Sequence, residues 1–130
     1  MTVILAEDDL DIQLVARLAL KRAGFTVKVV NNGQEAIDAV KNDRPDLIFM
    51  DLKMPVMDGW EATKRIRQME NGNAVRIIAL TAQAMAGDEE KALAIGCDDY
   101  LAKPVVDPEM VREKVERLLK KYGPTLAAVH

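Results

Sequence analysis

A chain of 130 residues makes one domain of ordinary size, and with 49% hydrophobic and 30% charged residues it can bury a core and is neither disordered nor fibrous. Its net charge of −3, pI near 5.2 and 4% aromatic content argue against a broad nucleic-acid surface or a base-stacking platform. With one cysteine, Cys97, and one histidine, His130, neither a disulfide scaffold nor a thiolate or imidazole zinc site can be built.

In chain order, Thr2–Ala6 is the first candidate strand. A helix follows with Asp9 as its N-cap, Leu14 and Leu18 on one face, and Gly24 where it stops. Thr26–Val30 is the second strand, and Asn32 with Glu35 resembles a capping box opening the second helix. Asp46–Met50 is the third strand, after which Ala62, Ile66 and Met69 share one helical face. Arg76–Leu80 is the fourth strand. The fourth helix has Gly87 in its first turn and stops near Gly96, with Cys97 as plain packing beyond it. Asp99–Ala102 is the fifth strand, and Pro108 opens a final helix whose face carries Val111, Val115, Leu118 and Tyr122.

Four of these strands are nearly continuous apolar runs, the pattern of strands buried on both faces of a parallel sheet. Strands and helices in strict alternation predict an α/β fold with a doubly wound, five-stranded parallel sheet, occupying residues 1–122 and followed by a short tail over 123–130. The apolar runs are too short to span a membrane, and no charged-then-apolar leader opens the chain, so a cytoplasmic protein is expected.

Ligands of such sheets bind beyond the carboxyl ends of the strands. There the sequence puts Glu7, Asp8 and Asp9 after the first strand, Asp51 after the third, Thr81 after the fourth and Lys103 after the fifth. Carboxylates packed that closely repel one another unless a hard cation joins them, and a few oxygen ligands suit Mg²⁺ with several waters retained. The Thr81 hydroxyl and the Lys103 ammonium are donors for an oxyanion. Donors, metal and a carboxylate nucleophile together fit phosphoryl transfer onto an aspartate.

Taken singly, each residue has a plainer use. Asp51 before Lys-Met-Pro is a turn former, Glu7-Asp8-Asp9 an acidic helix start, Thr81 a strand end and Lys103 a surface ammonium. Only their registry with one another lifts them. Neither G-x-G-x-x-G nor G-x-x-x-x-G-K-[ST] occurs. An FMN-binding electron carrier of the same architecture fits poorly, because Glu7-Asp8-Asp9 stands where a phosphate cradle needs Gly, Ser or Thr donors.

The runs ILAEDD, DLIFMDLKMPVMDG, IIALTA and DDYLAKP resemble the response-regulator receiver domains of two-component signalling, from Val3 to about Tyr122. The resemblance implies a flavodoxin-like (βα)5 fold with strand order 2-1-3-4-5. It implies that Asp51 accepts the phosphoryl group, that Asp8 ligates Mg²⁺ directly, that Glu7 does so largely through water, and that the backbone carbonyl of Lys53 completes the protein's share. Thr81 and Lys103 would hold phosphoryl oxygens, and Tyr100 would be the switch aromatic. Lys103–Pro104 should be a cis peptide. Lys53 and Gln83 should border the site and tune the lifetime of the phosphoryl group.

The partners implied are a sensor histidine kinase or histidine phosphotransfer protein as donor, and a protein target reading the face made by the fourth helix, fifth strand and fifth helix. No direct nucleic-acid or membrane contact is expected, and no enzymatic activity beyond the chain's own phosphorylation and dephosphorylation. A chain running from first strand to last helix resembles a stand-alone receiver. MDLKMPVMDG and ALTAQAMAGD equally resemble receivers of hybrid histidine kinases, from which the domain could be excised, and both origins stay open.

Overall fold

All residues of the third and fourth strands are buried, which is why their sequences offer no polar alternation. In a computed structural model, which describes residues 1–81 and 87–122, five strands alternate with five helices. The strands are β1 (Thr2–Ala6), β2 (Thr26–Val30), β3 (Leu47–Asp51), β4 (Arg76–Thr81) and β5 (Asp99–Ala102). The helices are α1 (Leu10–Arg22), α2 (Gly33–Asp43), α3 (Gly59–Gln68), α4 (Asp88–Ala94) and α5 (Pro108–Tyr122). Pairing is parallel throughout, in the order β2-β1-β3-β4-β5. The expected topology is therefore the observed one. Gln83 and the 123–130 tail lie outside the described residues.

Alternation along each strand builds two cores. Val3, Leu5, Leu47, Phe49, Ile78 and Leu80 point to the side covered by α1 and α5, where Ala16, Ala19, Leu20, Val111, Val115 and Leu118 meet them. Ile4, Ala6, Ile48, Met50, Ile77 and Ala79 point to the other side, against Ala36, Ile37, Val40, Ala62, Ile66 and Ala92 of α2, α3 and α4. No described helix is long and apolar enough to cross a membrane.

Helix starts follow the sequence closely. Asp9 Oδ1 accepts from the backbone N–H of Asp11 (2.9 Å) and Ile12 (3.1 Å), capping α1. Asn32 Oδ1 accepts from Glu35 N–H at 2.8 Å, but Glu35 Oε1 reaches back to the N–H of Asn31 (2.9 Å). The box is thus closed one residue earlier than the usual reciprocal pair. Asp107 Oδ1 accepts from Glu109 N–H at 3.0 Å beside Pro108 in the first position of α5.

Several details depart from expectation, among them the fourth strand, which runs on to Thr81 rather than ending at Leu80. The third strand runs Leu47–Asp51 rather than Asp46–Met50, because Asp46 turns its side chain to the Thr2 N–H (2.8 Å) just before the ladder starts. Gly87 is the N-cap of α4, at φ +103°, and not a residue of its first turn. The Leu14–Leu18 face of α1 is helical but does not enter the core: Leu14 is 70% and Leu18 48% exposed. Small residues, Ala16 and Ala19, let α1 sit close to the sheet, and Leu20 fills the remaining space.

This assignment of faces is checked by chemical denaturation of two truncations. Phe49→Ala, at a position with no exposure, should lose about 3–5 kcal/mol through lost transfer energy and the cavity left behind. Leu14→Ala should stay within about 0.5 kcal/mol of the parent, as surface substitutions do.

Candidate active site

Register brings the strand ends level. Ala6 pairs with Met50, Asp51 with Leu80, and Thr81 with Ala102, so Glu7, Asp51, Thr81 and Lys103 leave the sheet along one rim. Carboxylate oxygens of Glu7, Asp8 and Asp51 all lie within 4.8 Å of one another. Glu7 and Asp51 are buried, whereas Asp8 is exposed at the mouth. The Lys103 ammonium sits between the two buried carboxylates, 3.2 Å from Asp51 Oδ1 and 3.3 Å from Glu7 Oε2. The Lys103–Pro104 peptide is cis.

Backbone groups hold the rest. Asp51 Oδ1 also accepts from the Lys53 N–H at 3.1 Å, and Glu7 Oε1 from the Asp9 N–H at 3.2 Å. The buried Thr81 hydroxyl donates to the Leu101 carbonyl at 3.4 Å, a long bond that it can give up. Tyr100 stands apart from this cluster. Its ring packs against the α2–α3–α4 core, the Lys114 ammonium lies 5.1 Å from the ring centroid, and a hydrogen bond to the Glu89 carboxylate pushes the phenol pKa up.

Two supporting residues were not legible as such from the sequence. The Gln13 side-chain amide donates to the Glu7 carbonyl and to Asn31 Oδ1 (2.7 Å), tying the loop after β1 to the loop after β2. Only its place one turn into α1 hinted at this. Gly59, within the VMDG run, opens α3 against the backbone of β3: a Cβ there would stand 2.1 Å from the Asp51 carbonyl oxygen. Any side chain at 59 would push the Asp51 backbone out of place.

Electrostatics match this crowding. Burial and the neighbouring Asp51 charge raise the Glu7 pKa to about 7, against the lowering pull of the Asp9 N–H and of Lys103. Burial works against the Lys103 ammonium, but Asp51 and Glu7 outweigh it and hold its pKa above the ordinary lysine value. The cluster is short of positive charge. Oxygen-only donors at this spacing fit a hard divalent cation that keeps part of its water.

A family model described as "Response regulator receiver domain" matches residues 3–123. The chain belongs to the response regulator receiver domain family. This receiver is 37% identical over 127 residues to Hybrid signal transduction histidine kinase I of Dictyostelium discoideum, a match covering 92% of the chain and 7% of that kinase. The chain spans 6–11% of the length of the first histidine kinases that it matches. Among solved structures it is similar to the receiver domain of the sensor histidine kinase PA1611 of Pseudomonas aeruginosa, which has a magnesium ion coordinated in its active site cleft. That likeness has 40% identity and a TM-score of 0.77, over 93% of this chain and 95% of the other. The receiver domain of Ssk1 from Saccharomyces cerevisiae, solved with the histidine phosphotransfer protein Ypd1, is 36% identical with a TM-score of 0.81, over 92% and 90% of the two chains.

A pH dependence follows from Glu7. Its pKa is higher in the fold than in the unfolded chain, so the native state holds an extra proton between pH 4.5 and about 7. Metal-free stability is then greatest at the acid end of that window and falls as pH rises through 7, with a slope on the order of 1 kcal/mol per pH unit. Urea denaturation in EDTA across pH 5.5 to 7.5 should show the fall in the receiver and a flatter profile in Glu7→Gln.

Proposed function

We propose that the receiver takes a phosphoryl group from a phosphohistidine onto Asp51 and thereby changes its affinity for a protein target in the cytoplasm. The observation that carries this is the Lys103 ammonium bridging Glu7 and Asp51 at a rim where three carboxylates converge. A bare turn or helix start has no use for such a knot of charge.

In the transfer, an Asp51 carboxylate oxygen forms a P–O bond as the P–N bond of the donor breaks, and the electron pair leaves with the imidazole nitrogen. Glu7, Asp8, Asp51 and the Lys53 carbonyl are the groups that would hold Mg²⁺, whose charge would neutralise the incoming phosphoryl oxygens. Lys103 exchanges its contact with Asp51 for one with a phosphoryl oxygen. The Thr81 hydroxyl, freed from Leu101, donates to another. Withdrawal of Thr81 toward the site leaves room beside β5, and Tyr100 turning inward would report this on the α4–β5–α5 face, where Lys114 now binds Asp99 and the Tyr100 carbonyl. Lys53 borders Asp51 and is placed to influence attack by water. On this account the protein catalyses only its own phosphorylation and dephosphorylation.

The donor's seat is suggested by α1. Leu10, Leu14, Val15 and Leu18 are all more than 40% exposed, and Val56, in the loop after β3, is 86% exposed. An apolar stripe beginning next to Glu7–Asp9 suits an apolar face of a phosphotransfer protein, a kind of partner with which the Ssk1 receiver was solved.

Intact mass after incubation with acetyl phosphate and Mg²⁺ should show one phosphoryl adduct in the receiver and none in Asp51→Asn. Leu14→Asp should take phosphate from acetyl phosphate at the parent rate, yet lose about tenfold in transfer from a phosphotransfer protein, equivalent to about 1.4 kcal/mol of docking energy. An adduct persisting in Asp51→Asn would refute the acceptor. Equal loss from both donors would refute the docking face.

A further inference from the structure

At the opposite end of the sheet from the carboxylates, where β4 and β5 begin, lies a cavity of about 480 Å³ lined by Arg67, Asn73, Arg76, Asp98 and Tyr122 among others. Two guanidinium groups there face one carboxylate. Asp98 is fully engaged: Oδ1 accepts from Arg76 Nη1 (3.1 Å), and Oδ2 from Arg67 Nη2 (2.9 Å) and the Ile77 N–H (2.8 Å). Its charge offsets one arginine, which leaves one positive charge over among the described residues of the cluster.

The two arginines are not equivalent. Arg67 is a strut: its Nε donates to the Gly96 carbonyl (2.8 Å) and its Nη1 to the carbonyls of Gly72 and Val75 (both 2.6 Å). Gly96 is required beside it, since a Cβ there would stand 2.8 Å from Arg67 Cγ. Arg76 has donors to spare. It is 6% exposed, its Nη2 donates to the Asn73 carbonyl, and its buried Nε has no hydrogen-bond partner among the described residues. An unpaired buried N–H on a charged group is costly, and native structures rarely keep one without a use. The Tyr122 ring roofs the guanidinium, 4.3 Å from Cζ, with the Lys121 ammonium 5.2 Å from its centroid. Tyr122 is itself 41% exposed.

We propose that this cavity binds a tetrahedral oxyanion of the phosphate type, anchored on the Arg76 guanidinium, with the exposed Asn73 amide at its rim. Arginine offers such an ion several N–H groups in fixed geometry, and the surplus charge supplies the attraction. Asp98, already saturated by its own partners, stays as the wall that orients Arg76. The site is independent of phosphoryl transfer to Asp51, since it shares no residue with that rim.

The test is an NMR titration of ¹⁵N-labelled receiver in EDTA with inorganic phosphate, against chloride at equal ionic strength. Without metal, the carboxylate rim repels phosphate and does not compete. Saturable shifts are expected at the amides of Asn73, Arg76 and Asp98 and at the Tyr122 ring. Asn73→Asp, an exposed substitution that leaves the core untouched, should weaken Kd about tenfold by putting a carboxylate at the rim. Arg76→Gln should abolish saturation. Shifts no different from those with chloride, saturation centred on Glu7 and Lys103, or unchanged affinity in Asn73→Asp would each overturn the proposal. Acetate binding as tightly as phosphate would overturn the ion class.

Discussion

Three carboxylates held within 4.8 Å on one rim of a buried sheet set the constraint around which the molecule is arranged. Sheet register gathers them, because β1 and β3 are neighbours and Ala6 pairs with Met50, which sets Glu7 level with Asp51. In the unfolded chain Asp51 lies far from the adjacent Glu7 and Asp8, so the repulsion falls mainly on the native state. Lys103 relieves part of it from β5, at the cost of burying an ammonium that is 14% exposed. Burial and what remains of the repulsion show as a Glu7 carboxyl whose pKa lies near neutrality. A fold that keeps this arrangement gives up stability for a cluster of carboxylates that could hold a metal ion.

Much of the surrounding structure serves to hold that place still. The backbone N–H groups of Lys53 and Asp9 each fix one carboxylate oxygen, and Gly59 lets α3 start directly against the Asp51 backbone. Gln13 joins the loops after β1 and β2, so Glu7 cannot drift away from the rim. Flanking this centre are the faces to which the proposed partners are assigned: the exposed leucines of α1 on one side, and the Tyr100–Lys114 surface of β5 and α5 on the other. A rigid site between two readable faces is the geometry that a phosphorylation switch needs.

Sequence made the strands legible because both faces of the sheet are covered. Burial on two sides demands unbroken apolar runs such as Leu47–Met50 and Ile77–Leu80, and all five strands fall within one residue of where the pattern puts them. The strand-end residues Glu7, Asp51, Thr81 and Lys103 followed from the same parallel order. Helix faces were less legible. On α1, the leucines spaced four apart outweigh the alanines in any count of hydrophobicity, yet the alanines are the residues that pack. Periodicity identifies a helix but not which of two apolar stripes is the buried one. Contacts built from distant residues left no trace. Arg67, Arg76 and Asp98 are ordinary charged residues when read separately along the chain, and only folding makes them a cluster.

The central claim is that the carboxylate rim is a cation site whose crowding destabilises the metal-free fold, and four thermal melts test it most directly. The receiver and Asp8→Ala are each melted with and without Mg²⁺ at fixed ionic strength and at a pH above 7, where Glu7 is ionised. In EDTA, Asp8→Ala should melt higher than the parent, because one repelling charge is gone. Added Mg²⁺ should raise the parent, by about 2.7 kcal/mol of stabilisation at roughly 100 times Kd, and barely move the variant. A variant that melts lower in EDTA, or that gains as much from Mg²⁺ as the parent, would make Asp8 an ordinary helix-start residue and contradict the account.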